Sequence, residues 1–369
     1  MLSPAQQAAT TWLPLTLVRG LSPRRQHQLV RAMGTPHAAM GASVEDVASI
    51  AGAAAAQAFA AGPDQRSMQA SLAWLETQDH GLITWSDPEY PALLREIPDP
   101  PLVLFFRGRT TALSAPAMAI VGSRNCTPHG ARDAESFAAA IASQGYAIVS
   151  GLAAGIDTAA HHGALRRNGR TIAVMGTGPD IIYPATNRAL AERIVECGVL
   201  LTEFAPGTAA LPGNFPRRNR LISGLSRGVL VVEAAARSGS LITARFANDQ
   251  GRDVFAVPGS IHSPHSKGCH DLIRQGAVLA ESAQDVLREF GHDVPLEFPA
   301  PDSTGDLRAA GSPLLEALGQ ATLSAEELCE CSGMPVSQVL ADLARLQLEG
   351  RIVPAGGGRY QVNQPVRAS

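Results

Sequence analysis

The fold is decided by residues 212–247, which read PGNFPRRNRLISGLSRGVLVVEAAARSGSLITARFA. A short segment without acids holds four arginines: Arg217, Arg218, Arg220 and Arg227. The apolar run from Val229 to Val232 follows them, and Ser238-Gly239-Ser240 precedes a second helical pattern. A helix, a buried strand and another helix in this order indicate a parallel sheet. The arginines indicate that this sheet carries an anion-binding surface.

The same alternation extends to both sides of this stretch. We predict strands at residues 119–121, 147–149, 172–175, 199–201, 229–232 and 254–257, and helices at 132–143, 156–166, 188–196, 217–225 and 241–249. Continuous Val, Ile and Leu runs, each followed by glycine and an amphipathic helix, are typical of strands buried on both faces. We therefore predict an α/β fold with a Rossmann-like, doubly wound parallel sheet.

Composition narrows the class of protein. The chain has 369 residues and 45% hydrophobic content, enough for two or three globular domains. It contains no apolar run of about 18 residues, and Pro14 interrupts the apolar start without a preceding basic region. The five cysteines are scattered and odd in number, which disfavours a disulfide framework. We expect a cytoplasmic protein.

The charge balance excludes a generally basic protein but leaves a local basic patch possible, since the net charge is −3. Lys267 is the single lysine among 30 basic residues. Arginine suits bidentate phosphate contacts, but the bias runs through every region of the chain. Genome composition is therefore the favoured explanation of this bias.

Four segments are expected along the chain. Residues 1–80 form a helical domain of the SAM or helix-hairpin-helix type, 81–290 the Rossmann-like domain, 291–311 a linker and 312–369 a winged-helix domain. The helical domain either grips a nucleic-acid backbone through helix N-termini or serves in packing. Trp85 and Tyr90 either stack on bases or belong to the core.

The last segment has the order helix, helix, helix and wing. Ser324 and Glu327 form a capping box, helical spacing follows Pro335, and a glycine turn joins residues 351–353 to 359–362. This order is typical of a winged helix-turn-helix. Six acids outnumber four arginines from Ser312 onward. Duplex reading and protein contact therefore both remain open.

Small residues and isolated charges follow the predicted strands, at the edge where ligands bind in such sheets. We predict DNA-binding residues at three of these places: Gly122, Ser123 and Arg124; Phe215, Arg217, Arg218, Asn219 and Arg220; and Ser238, Gly239 and Ser240. Phe215 would stack on a base. The alternative is that the arginines are solvated or pair with Glu203 and Glu233.

Catalytic and metal chemistry are not indicated by the motifs. His262, His265, Cys269 and His270 are zinc ligands by type, but their spacing fits no familiar zinc pattern. Asp157 and His161 are spaced i, i+4, which allows a general base, although capping and packing suit them better. P-loop and dinucleotide fingerprints are absent from the sequence. We expect no catalytic residue, cofactor or metal.

The chain resembles the DNA-processing protein A family, also called DprA or Smf. The similar blocks occur in one order between residues 80 and 290: VGSR at 121–124, SGLAAGID at 150–157 with AH at 160–161, residues 178–184, FPRRNR at 215–220, residues 233–243, and GRDVFAVPG at 251–259. The resemblance maps the family's serine-arginine pair to Ser123 and Arg124, and its basic pocket to residues 215–220. Some members have a lysine three positions before the phenylalanine, where this chain has Pro212.

The resemblance implies a non-enzymatic homodimer that binds single-stranded DNA during natural transformation, protects it, and loads the RecA recombinase onto it. A rival reading is a phosphoribohydrolase-like enzyme on a related fold. Residues 237–243 supply neither the glycines nor the glutamate that such an enzyme needs. A transcription regulator would need a basic recognition helix, which the sequence lacks.

Overall fold

The computed structural model describes residues 4–291, 313–318, 322–356 and 358–363. The contacts divide the chain into two compact units, residues 1–296 and 297–369. The helical segment at the N-terminus thus packs into the same unit as the sheet. Most of the expected linker, and the boundary of the expected winged-helix domain at residue 312, lie outside the described residues.

The first unit contains fourteen α-helices and nine strands in its described part. The helices are α1 Pro4–Thr16, α2 Pro23–Met33, α3 Pro36–Met40, α4 Val44–Ala51, α5 Ala53–Ala60, α6 Gln65–Trp74, α7 Ala92–Arg95, α8 Pro128–Ser143, α9 Ile156–Arg166, α10 Arg188–Cys197, α11 Asn214–Gly224, α12 Ser240–Asp249, α13 Lys267–Arg274 and α14 Ala283–Glu289. The strands are β1 His80–Thr84, β2 Val103–Gly108, β3 Ala117–Val121, β4 Ala147–Ser150, β5 Thr171–Val174, β6 Val199–Thr202, β7 Gly228–Val231, β8 Asp253–Ala256 and β9 Val278–Leu279.

The strands form one sheet in the order β1-β2-β6-β5-β4-β3-β7-β8-β9. The seven strands from β6 to β9 in this order are parallel, and β1 and β2 extend the sheet with antiparallel pairs. The strand order reverses between β3 and β7, which are neighbours although the chain visits β4, β5 and β6 between them. The predicted doubly wound parallel sheet is confirmed.

Helices cover both faces of the sheet. On one face Leu221 and Ile222 of α11 pack with residues of α7, α12 and α13 against alternate strand positions such as Val149 and Val229. On the other face α8, α9 and α14 pack against positions such as Ile148. Gly163 lets α8 and α9 approach closely, since a Cβ there would lie 2.2 Å from the carbonyl oxygen of Glu135. Burial on both faces explains the continuous apolar runs.

The N-terminal helices pack on the antiparallel end of the sheet. A shared core joins Leu13 and Leu29 of the helices to Leu82 of β1 and Phe105 of β2. Trp85 packs against this core and Tyr90 is 2% exposed. Both aromatic side chains therefore serve in packing. Helix α2 follows Ser22, with Pro23 in its first turn and Gly34 at its end.

The second unit is a winged helix in its described part. Its helices are α15 Pro313–Leu318, α16 Ala325–Ser332 and α17 Val336–Leu348, and its strands are β10 Leu323–Ser324, β11 Ile352–Gly356 and β12 Arg359–Val362. The predicted capping box is present at the start of α16. Leu328, Val339, Leu343 and Ile352 form part of a small core of its own. In neither unit is a described helix long and apolar enough to cross a membrane.

Candidate nucleic-acid interface

The candidate site lies at the carboxyl edge of the parallel strands, where the strand order reverses. The loop after β3 supplies Gly122, Ser123 and Arg124, and α11 begins at the same edge because it leads back into β7. In open parallel sheets this crevice is the usual ligand position. The structure therefore brings together the first two groups of predicted residues.

Three side chains form a continuous row at this edge, which we call the aromatic ledge. The rings of Tyr183 and Phe215 lie 5.5 Å apart between centroids, and the Arg124 guanidinium lies 5.2 Å from the centre of the Phe215 ring. Tyr183 is 47% exposed, and Phe215 is partly exposed. Gly176 supports the ledge because a Cβ there would lie 2.8 Å from Cδ1 of Phe215. The two rings are tilted by 43° to each other. Neighbouring exposed rings beside a cation are suited to unpaired bases and phosphates.

Arg124 carries a free positive charge. It is exposed, and among the residues that the structure describes no acid lies within ion-pairing distance of it. The loop that holds it is packed tightly against the start of α9. Gly155, with φ of 79°, lies so close that a Cβ would be 2.3 Å from the Ser123 carbonyl oxygen. This close packing therefore fixes the position of the loop that carries Arg124.

Arg218 lies inside the protein. Its side chain is 3% exposed, and Nη1 donates to the carbonyl oxygens of Gly151, at 2.6 Å, and Val174. Burial lowers the pKa of Arg218 to about 10, which leaves it charged at neutral pH. The Asp157 carboxylate opposes that decrease, and Asp157 itself accepts from the amide of Gly151 at 3.0 Å. Arg218 thus holds the ends of β4 and β5 in place.

Arg217 and Arg220 share one buried carboxylate, Glu203. Nη2 of Arg220 donates to Oε2 of Glu203 at 2.5 Å, and Nη2 of Arg217 donates to the same oxygen at 2.9 Å. Arg220 is 3% exposed and also reaches the carbonyl oxygen of Asp99 at 2.7 Å. Arg217 is about half exposed and lies 5.1 Å from the centre of the Phe204 ring. Of this pair, only Arg217 faces solvent.

The alternative pairing of the arginines therefore holds for Glu203 but not for Glu233. The Glu233 carboxylate accepts from the amide and the hydroxyl of Thr127, at 2.9 and 2.7 Å. Glu233 thus fixes the start of α8 instead of neutralising α11.

The third predicted group lies at the start of α12. Ser238 and Ser240 bond to each other through their hydroxyls at 2.7 Å, and Ser240 is buried. Asn219 connects this loop to α11, since its Nδ2 donates to the Gly239 carbonyl oxygen at 3.3 Å. These hydroxyls are engaged within the loop. Gly239 remains exposed beside them.

The residues considered for catalysis have structural partners. His161 is fully buried, its Nδ1 lies 2.7 Å from the Thr171 hydroxyl, and burial lowers its pKa to about 3. The Asp157 carboxylate also accepts a hydrogen bond from the amide of Ala153 at 3.4 Å. Both side chains therefore serve in packing, and Asp157 fixes the loop before α9. The expected cap is not seen, because no side chain caps the start of α9. No group of three His, Cys, Asp or Glu side chains in the described part of the chain could hold a metal ion.

Tyr183 is the site residue that the sequence reasoning missed. It lies in the loop between β5 and α10, and no helical or strand periodicity reports on it. The block of resemblance at residues 178–184 contains this tyrosine, but it was not predicted to bind DNA. An aromatic side chain at a predicted ligand edge is a stacking candidate.

Comparison with known proteins agrees with this geometry. A model of the DNA recombination-mediator protein A family matches residues 81–291, which is more than half of the chain. The chain belongs to this family, DprA/Smf. A model of the DprA winged helix domain matches residues 298–358. The family resemblance and the winged-helix prediction are both confirmed.

Individual members of the DprA/Smf family extend the match over most of the chain. The Smf protein of Escherichia coli K12 is 43% identical over 317 residues, covering 84% of each chain. The crystal structure of DprA from Streptococcus pneumoniae aligns with a TM-score of 0.67 at 39% identity, covering 78% of this chain and 99% of that one. DprA from Helicobacter pylori, solved for its single-stranded DNA binding mode, aligns with a TM-score of 0.53 at 29% identity, covering 58% and 97%.

Proposed function

We propose that this protein binds single-stranded DNA on the aromatic ledge and protects it during natural transformation, without catalysing a reaction. The observation that supports this most is the row of Tyr183, Phe215 and Arg124 at the carboxyl edge of the sheet. A ring accepts any unpaired base by stacking, worth about 1–3 kcal/mol per base, and so binds with little sequence preference. A duplex keeps its bases stacked internally and offers no such face.

We assign different roles to the predicted residues on the basis of their contacts. Arg124 and Arg217 contact phosphates, because both are exposed. Arg218, Asn219 and Arg220 position α11 from within, because their polar groups bond to other parts of the protein. Gly122, Ser123 and the 238–240 loop border the path of the strand. Pro212 is exposed and offers no charge, so Arg217 takes the phosphate contact that a lysine there would supply.

The proposal predicts preferential binding of single strands with a strong salt dependence. In a fluorescence anisotropy titration, labelled oligothymidylate should bind more tightly than a duplex of the same length. The logarithm of the binding constant should decrease linearly with the logarithm of salt concentration, by about 0.7 for each phosphate contacted. A salt-independent affinity would contradict the proposal. Release of a free base from a nucleoside monophosphate would support the phosphoribohydrolase-like alternative instead.

The proposed function includes a homodimer in the cytoplasm that loads RecA onto the bound strand. The family description as a recombination mediator and the expectation drawn from the resemblance support this part. We expect the protein to shorten the lag before RecA hydrolyses ATP on strands already coated with a single-strand-binding protein. An unchanged lag, with strand binding intact, would contradict RecA loading alone.

The winged helix is proposed to contact protein. Arg345 pairs with Asp342 at 3.0 Å and Arg359 pairs with Glu327 at 2.9 Å, so both cations are partly neutralised within the unit. Helix α17, which would enter a DNA groove, exposes Val336 by 56%. Backbone binding needs free positive charge. The charge pattern therefore favours a protein partner.

A further inference from the structure

A cleft of about 990 Å³ lies between the N-terminal helices and the loop after β6. Much of its lining is apolar or aromatic, including Leu17, Trp74, Phe105, Phe204 and Leu211. Leu211 is 55% exposed. The aromatic ledge does not include any of these side chains. The cleft is therefore a separate surface of the same unit.

Arg217 connects this cleft to the aromatic ledge. It lines the cleft, its guanidinium lies over the Phe204 ring, and it follows Phe215 by two positions in α11. A strand can stack a base on Phe215 and place a phosphate on Arg217. Its next nucleotides then lie at the opening of the cleft. The two surfaces are thus continuous through one exposed arginine.

Two buried polar atoms of the cleft-lining residues have no hydrogen-bond partner in the part of the chain that the structure describes. They are the Glu203 Oε1 oxygen, an acceptor, and the Trp74 Nε1 group, a donor. Unpaired groups of this kind are costly unless a ligand or water satisfies them. A nucleobase edge presents both donors and acceptors beside an apolar ring. The lining residues therefore combine apolar rings with one unpaired acceptor and one unpaired donor, which are the groups that a base can pair with.

One cation on the helical side of the cleft is available for a phosphate. Arg19 is committed to Asp64 at 2.5 Å. Arg66, in the first turn of α6, is exposed and has no ion-pair partner among the described residues. An exposed arginine without a partner can take a phosphate without breaking a contact.

We propose that the cleft is a second segment of the strand-binding path, which holds bases of single-stranded DNA that extends beyond the aromatic ledge, with Arg66 contacting its backbone. The N-terminal helical segment is then one wall of the DNA path. This proposal rests on the proposed function. The shared residue Arg217 and the match of the lining to a base favour DNA over a peptide in this cleft.

A length series tests this path. Oligothymidylates of about 4 to about 20 nucleotides span the usual site sizes of strand-binding folds. Arg66→Glu should weaken binding of the longest strands about tenfold or more and leave the shortest unchanged, because only long strands reach the cleft. Arg24→Glu is the matched control, since Arg24 is also exposed, occupies the same second helical position and does not line the cleft. An equal effect of the two variants, or no effect at any length, would overturn the proposal.

Photo-crosslinking locates the strand independently. A long oligothymidylate with 5-iododeoxyuridine at single positions should crosslink to the ledge at some positions and to Trp74 or Phe204 at others. Crosslinks confined to Tyr183 and Phe215 would overturn the cleft as a DNA site while leaving the ledge intact. Failure of strands of every length to bind the unaltered protein would instead refute the proposed function.

Discussion

Replacing Arg124 and Phe215 together by alanine should weaken binding of single-stranded DNA by about 100-fold. The change removes a base-stacking face, worth about 1–3 kcal/mol, and an unpaired cation that lies 5.2 Å from it. A hundredfold loss corresponds to about 2.7 kcal/mol. Anisotropy titrations at one fixed salt concentration measure it. The salt dependence should also become shallower, because one phosphate contact is lost.

Arg167→Ala is the matched control for this pair. Arg167 is exposed like Arg124, but it ends α9 and so lies at the opposite edge of the sheet. The Arg167→Ala variant should bind single strands with the same affinity as the unaltered protein. Thermal unfolding should be nearly unchanged in both variants, since Arg124 is exposed and Phe215 is only partly buried. Undiminished affinity in the double variant would place the strand elsewhere.

Arg218→Met should lower the free energy of unfolding by about 3–5 kcal/mol. The substitution leaves the buried Asp157 carboxylate without its opposing charge and removes the donor to the Gly151 and Val174 carbonyl oxygens. Removing one partner of a buried charge pair costs a free energy of this size, because the other charge stays buried without compensation. Urea unfolding followed by circular dichroism measures it. Adding Asp157→Asn should recover part of the loss, because the amide needs no countercharge.

The neighbouring arginine is the control for this second prediction. Arg217→Met removes a half-exposed side chain, and Glu203 keeps its pairing with Arg220. The loss should stay below about 1 kcal/mol, as for surface ion pairs. Arg217→Met should weaken the binding of single strands more than Arg218→Met does, since Arg217 faces solvent. Equal destabilisation by both substitutions would contradict the assignment of Arg218 as an internal support.

The sheet was predictable because its signal is local. Each parallel strand is a continuous apolar run such as Val229 to Val232, and the predicted helix 156–166 coincides with α9. Strand order follows from long-range packing, which no single run encodes. The antiparallel addition of β1 and β2 was therefore beyond the local pattern.

The arginines of α11 show where sequence reasoning stops. Residues 218, 221, 222 and 225 share one helical face, so the position of Arg218 beside Leu221 and Leu225 already indicates its burial. The burial of Arg220 has no such signal. The buried Arg220 side chain bonds to Glu203 and to Asp99, and Asp99 lies 121 positions away in the chain. Contacts this distant in the chain are invisible to periodicity.

The buried carboxylate Glu203 begins a series of contacts that links α11 to the N-terminal helices and that salt should disturb little. Arg220 joins it to Asp99, and one residue further the Pro100 carbonyl oxygen lies 2.8 Å from Nε2 of His27 in α2. These short contacts fix the distance between α11 and the N-terminal helices. Dissolved ions screen buried pairs only weakly. We therefore expect rising salt to release a bound strand without changing the distance between α11 and α2.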